Sequence, residues 1–360
     1  MLTRRHLFAG CGAIVGALAL ATTITGAATA AEIKVLNWQG YGTDEKWAID
    51  AFEKKTGIKV THDYFNSEQE MLTKLRTAPG TYDVVLMNNI YVPEAAKEGL
   101  IQPIDENKIS NFADLTPSLR DSERFVMDGK HMAISWVWGL TSFAYNTNSF
   151  KQAPDSISGS FDDTIKPIKL TWRDDALEAV QIAALATGQD MNKPADLPKI
   201  KEWLITTLKP RLKAFWSSED EWNKMFSAGD FDIGTYWSGS AARSKKAFKL
   251  PVGFMVPKEG AIGWYDGLTV AAKAPNLDGA LAFIDFMVSP DFYVPWDTNV
   301  GAPASANAKA NAMLPEDAMN RMVLGNPEIV ARVKWMAPTT DDQRKAYQEL
   351  WDEVKTAIAN

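Results

Sequence analysis

The chain has 360 residues, 46% of them apolar and 23% charged, which is enough to build more than one hydrophobic core. Its 45 acidic side chains outnumber the 38 basic ones, giving a net charge of −7 that argues against a nucleic-acid partner and tolerates a cationic ligand. A single cysteine, Cys11, and three histidines leave no disulfide framework and no His/Cys zinc site.

Residues 1–31 have the form of an export segment. Arg4 and Arg5 make a twin-arginine n-region, Leu7 to Ala31 carries no charge, and Ala28-Thr29-Ala30 is a small-residue cleavage site. A twin-arginine signal peptide is expected, with a Sec route as the alternative, and a periplasmic mature protein. Its removal takes away Arg4, Arg5 and Cys11 and no acid, so the net charge moves from −7 to −9 and only His62 and His131 remain. No metal, cofactor or His-dependent triad is expected.

The mature part opens with an apolar strand at Ile33–Trp38. Thr43 is expected to cap the next helix, with Asp44 and Glu45 in its first turn, Lys54 and Lys55 in its last, and Gly57 ending it. A strand at Ile58–Tyr64, an amphipathic helix in SEQEMLTKLRTA and a buried strand at Tyr82–Met87 follow. This β-α-β-α-β series predicts an α/β layer with a mostly parallel sheet. Ligands of such sheets bind where strands end, which singles out the loops NWQGYG and Asn88–Pro93. Further on, AISWVWGLTSFAYN is extended and crosses between lobes. Helices are expected near 173–186, 195–208 and 219–227, and a strand at Phe231–Trp237. Gly239–Lys246, GSAARSKK, fits a solvated helix face. GLTVAAKAP is a strand and LDGALAFIDFMV an amphipathic helix. The last helix, near 340–358, places Tyr347, Leu350, Trp351, Val354 and Ile358 on one side.

The chemistry concentrates in a few aromatics and acids. Trp264 and Asp266 stand two apart in PKEGAIGWYDGL, so on a strand they share a face. A ring beside a carboxylate suits a cation. Asp175 and Glu178 share a face if their segment is helical, whereas Asp174 points roughly 100° away from Asp175. Trp237 precedes a Ser-Gly-Ser turn, and Trp38 and Tyr41 follow the first strand. Together these fit a cleft for an organic amine. Each also has a plain structural role, as a core ring or as the solvated first turn of a helix. The chain lacks a Walker A loop, a G-x-S-x-G elbow, an H-E-x-x-H and a G-x-G-x-x-G after a strand. A secreted hydrolase using Asp174, Asp175 or Glu178 is a remote alternative, since two acids on one turn are too alike for separated acid and base roles.

TGIKV, YDVV, EGLIQPID, the TDDARE-like WRDDALE, W-x-G-S-A and PKEG…W-x-D-x-L occur in this order along the mature chain. In this respect the chain resembles the bacterial periplasmic polyamine-binding proteins, the spermidine/putrescine-binding components of ABC importers. The resemblance implies a two-lobed α/β periplasmic-binding-protein fold of type II, each lobe a mixed sheet flanked by helices. It implies lobe one at 32–137 plus 265–305 and lobe two at 138–264 plus 306–360. It also implies ligand contacts from Trp38, Tyr41, Asp175, Glu178, Ser217, Trp237, Trp264 and Asp266, and no catalytic residue. The implied partners are a small organic cation (putrescine, spermidine or a related amine) and membrane permease subunits, the protein being a monomer without nucleic acid. Three positions depart from the spermidine-binding pattern. Gly40 stands where an acid is usual, Ile90 where an aromatic is, and Met336, after Trp335, where an amide is. They point to fewer or differently spaced amines. Arg173, beside the acid pair, discriminates further: pointing inward, it favours a carboxylate-bearing solute such as an amino-acid derivative.

Overall fold

The computed structural model describes residues 31–150, 152–161, 167–316, 318–324, 328 and 331–359. The expected export segment, with Arg4, Arg5 and Ala28–Ala30, lies outside them. The main sheet has 12 strands among the described residues, and the continuous path through it runs along β1 Glu32–Asn37, β2 Lys59–Tyr64, β3 Val84–Asn88, β4 Ile134–Asn146, β5 Leu170–Arg173, β6 Leu212–Trp216, β7 Ile233–Trp237 and β8 Ala261–Ala271. Their order is β2-β1-β3-β8-β4-β7-β5-β6. The helices used below are α1 Lys46–Thr56, α2 Glu68–Thr77, α3 Ala176–Ala186, α4 Leu197–Leu208, α5 Glu219–Ala228, α6 Ser238–Lys246, α7 Leu277–Met287, α8 Pro290–Asn299 and α9 Asp341–Ala359.

β1 pairs in parallel with β2 and β3, as β-α-β crossovers require. Its Ile33, Val35 and Leu36, and Val84 to Met87 of β3, are buried, which is why these strands are continuous apolar runs. At the far end β7, β5 and β6 repeat the parallel arrangement. Between the two parallel groups run β4 and β8, long and antiparallel, with every residue of β8 buried. β8 pairs with β3 on one side and β4 pairs with β7 on the other, so these two strands join the halves.

Two main cores flank the crossing strands. The first gathers Leu36, Phe52, Leu86, Trp136, Phe283 and Trp296. The second gathers Trp172, Val180, Leu204, Ile233, Tyr347 and Trp351. α9 packs on α3 and α4, as its apolar stripe demands. Ala306, Ala310, Leu314 and Ala318 pack with the first core, although the chain was expected to return to the second half at 306. Buried Asn320 explains this, because its amide donates to Asp297 Oδ1 at 2.7 Å and to the Ala302 carbonyl at 2.8 Å, tying the segment to α8.

Three local expectations change. Thr43 does not cap α1. The N-cap is Glu45, without a side-chain bond, and Asp44 and Glu45 precede the helix. Thr43 is instead claimed by the buried Asn37 amide, which donates to Thr43 Oγ1 at 2.8 Å and to the Tyr41 carbonyl at 3.1 Å. Arg173 closes β5 rather than opening a helix, since Asp175 is the N-cap of α3. GSAARSKK is not a solvated face. Ser238 to Ala242 and Ser244 are buried, and Arg243 folds onto Glu219. The small residues allow this close approach, since a Cβ on Gly239 would lie 2.7 Å from the Pro303 nitrogen.

Candidate functional site

Strand ends deliver most of the candidate residues. Tyr41 follows β1, Asn88 ends β3, Arg173 ends β5, Trp237 ends β7, and Trp264 and Asp266 lie within β8. Trp264 pairs with Gly139 and Asp266 with Val137 of β4, and the register shifts only after Asp266, so the two share a face. The Trp264 ring crosses Gly139 so closely that a Cβ there would stand 2.5 Å from it. Trp264 Nε1 is buried and has no acceptor among the described residues.

Asp266 is 7% exposed. The Tyr41 hydroxyl donates to its Oδ2 at 2.9 Å and Asn88 Nδ2 to its Oδ1 at 2.9 Å. Both donors are neutral. Burial pushes the Asp266 carboxyl up to about 6, and the two hydrogen bonds only partly oppose it. Burial, then the Asp266 charge, raises the Tyr41 phenol as well. Tyr41 is held edge-on by Trp136 and Trp296, at 5.6 and 6.2 Å between centroids. Trp38 packs edge-on against Phe65 at 4.6 Å.

A second group forms where β5 meets α3. Asp175 caps the helix and accepts the Glu178 N–H at 2.9 Å. Glu178 itself is 7% exposed. Glu178 Oε1 accepts from Arg173 Nη1 at 2.5 Å and from Trp237 Nε1 at 3.1 Å, while Oε2 is buried without a partner. The Arg173 guanidinium lies over the Trp237 ring, 4.6 Å from its centroid, with Nη2 3.7 Å from Asp175 Oδ2. Burial raises the Glu178 carboxyl against the pull of Arg173. For Arg173, burial works against the charge, but Glu178 and Asp175 outweigh it and hold the guanidinium above its ordinary value.

Sequence reasoning missed Glu68 and Tyr91. Glu68 is the first residue of α2, and its Oε2 is shut off from solvent without a hydrogen-bond partner among the described residues. Burial, then the Asp266 charge, raises its carboxyl well above the usual range, while the Asn88 backbone N–H and then Arg173 pull it down. Glu68 is therefore within electrostatic reach of both groups. The Tyr91 phenol is raised by burial and then by Glu68 and Asp175, and its ring packs against both cores. The Asn88–Pro93 loop was singled out as a strand end, but nothing marked which of its side chains turn inward. For Glu68 the available signal was an acid immediately after a strand-to-helix turn.

Other candidates sit elsewhere. Ser217 is exposed after β6, and its N–H donates to Glu221 Oε2 at 2.8 Å in the capping turn of α5. Asp174 turns away, accepting from Trp351 Nε1 at 2.7 Å and Lys355 Nζ at 3.1 Å. Gly40 lies in the left-handed region, φ +72°, and donates its N–H to Asp44 Oδ2 at 2.8 Å. Ile90 and Met336 are buried among the second core.

The spermidine/putrescine-binding periplasmic protein of Salmonella typhimurium is 30% identical over 357 residues, 98% of each chain. The putrescine-binding periplasmic protein SpuD of Pseudomonas aeruginosa is 27% identical, covering 94% of this chain and 97% of its own. The solved spermidine/putrescine ABC transporter substrate-binding protein PotD of Streptococcus pneumoniae has a TM-score of 0.77 at 23% identity, over 91% of this chain and 99% of that one. The fold is therefore the two-lobed periplasmic-binding type, with β4 and β8 as its crossing strands. The profile of the bacterial extracellular solute-binding proteins matches residues 47–321, and with relatives aligned over their whole length this chain belongs to that family.

Proposed function

We propose that this protein is a periplasmic receptor that carries an amine-bearing organic solute of the polyamine type to the permease subunits of an ABC importer, without catalysis. The observation that carries the reading is Asp266, a buried carboxylate whose donors among the described residues are the neutral Tyr41 and Asn88, with Glu68 in electrostatic reach. An ionised acid withdrawn from water needs a cation, and a primary ammonium supplies three donors. Trp264, on the same strand face, offers an apolar wall for methylenes. In this reading Trp38, Tyr41 and Trp237, from strand ends, and Asp175 and Glu178, from the start of α3, complete the site. The names of the relatives, spermidine/putrescine-binding and putrescine-binding, support the same ligand class. In this reading lobe one comprises about 32–137 and 265–318 and lobe two the remainder, and the amino-terminal segment directs export of a monomer.

Thermal-shift titration tests the reading. Putrescine, cadaverine or another primary aliphatic amine is expected to raise the melting temperature, because a ligand that binds only the folded state stabilises it by mass action. Mass spectrometry of the same mixtures is expected to recover the amine unchanged. A shift with sugars and with no amine, or turnover of the amine, overturns it.

A further inference from the structure

We infer, resting on the amine-receptor reading, that Arg173 is a built-in cation filling one end of the site, so that the preferred solute is an aliphatic chain with one ammonium group and a carboxylate at its far end. The two acidic groups differ in what neutralises them. Asp175 and Glu178 already face a positive charge, since Arg173 donates to Glu178 at 2.5 Å and stands 3.7 Å from Asp175. The same guanidinium covers a face of Trp237 at 4.6 Å. It therefore occupies the acid-and-ring clamp that a second ammonium of a diamine would need. No basic side chain among the described residues makes an ion pair with Asp266 or Glu68, and Glu68 Oε2 has no partner. One cation is thus called for at Asp266 and Glu68, and none at Glu178. A diamine whose far ammonium extends from Asp266 to Arg173 meets a guanidinium, and like charges away from bulk water repel. A carboxylate at that end meets the planar guanidinium, whose fork of donors suits it. Arg173 is at the end of a strand and anchored by Glu178, so it is held in place for this role.

Matched probes test the inference by calorimetry. Putrescine and 5-aminovalerate share an ammonium and four methylenes and differ only in the far group; cadaverine and 6-aminohexanoate form the pair one methylene longer. The wild type is expected to bind at least one of the amino acids tenfold or more tightly than its diamine partner. Arg173→Gln is expected to lower that preference by tenfold or more, with the diamine gaining, and Arg173→Lys to keep its direction. Tighter binding of both diamines by the wild type overturns the inference while leaving the amine reading intact, and needs no variant. An unchanged ratio in a folded Arg173→Gln protein does the same. Failure of all four probes to bind overturns both.

Discussion

Asp266 connects ligand recognition to stability. Its folded value of about 6 lies above the ordinary 3.8 because burial disfavours the charge. A raised acid contributes stability that is fully present below about pH 4 and is lost as the pH rises through about 6. Asp266→Asn is therefore expected to stabilise the ligand-free protein at pH 7.5 by about 1–3 kcal/mol in urea unfolding, while abolishing amine binding. Unchanged stability would mean that Asp266 is better solvated than its contacts imply. The same shift sets the pH dependence of binding. An ammonium against Asp266 favours the ionised form, so binding releases a proton wherever the free protein holds one. Amine affinity measured by calorimetry should be flat above pH 7 and fall below about pH 6, by up to about tenfold per unit. Trp264 and Asp266 were legible in sequence because strand alternation is fixed by the backbone. Glu68 was not, because an acid at a helix start is ordinarily a solvated dipole partner, and its burial depends on how lobe one meets β8. Arg173 was visible as a neighbour of the acids, but the direction of a long side chain at a strand end is decided by its partners, here Glu178 and Trp237.

Elements impose their own constraints on the site. β4 must present Gly139 beneath Trp264, because the ring occupies the space a Cβ would take, 2.5 Å from Cζ2. Gly139→Val is expected to displace the ring, cost about 1–3 kcal/mol in urea unfolding and weaken amine binding. Tryptophan fluorescence should report the moved ring, and an unchanged spectrum with unchanged affinity would return Trp264 to a purely structural role. Most elements could be located from periodicity. The helices expected near 195–208, 219–227 and 340–358 appear at Leu197–Leu208, Glu219–Ala228 and Asp341–Ala359. Boundaries failed where a side chain took a tertiary partner. Thr43 left its capping role for Asn37, and Arg243 of α6 left solvent to pair with Glu219 while Lys245 stays exposed. Local patterns carry no information about such partners. The return of 306–318 to the first core is of the same kind, since buried amides tie it there, Asn307 to the Val288 carbonyl and Asn320 to Asp297.

At the scale of the molecule, the charges of the site fall on different bodies. Glu68 belongs to α2, against the first core, and Asp175 and Glu178 open α3, against the second, with Asp266 on the crossing strand β8. Like charges repel within each group, Asp266 acting on Glu68 and Asp175 on Glu178, while Arg173 attracts Glu68 across the two sides. A solute whose ammonium engages Asp266 and Glu68 and whose far group engages Arg173 interacts with both sides at once. Only such differential contact can move the equilibrium toward a closed form. Small-angle scattering at saturating ligand is therefore expected to give a smaller radius of gyration than the ligand-free protein. Butylamine, with the ammonium and four carbons but no far polar group, provides the control. It should satisfy the Asp266 end alone, bind more weakly and contract the protein less. Arg173→Gln should remove the extra contraction produced by 5-aminovalerate over butylamine, because the second contact is gone. If 5-aminovalerate and butylamine at saturation give the same contraction in the wild type, closure is driven by the Asp266 end, and the two-ended account of it fails. If neither changes the radius, the receptor is rigid or already closed, and the charges across the cleft do not control its shape.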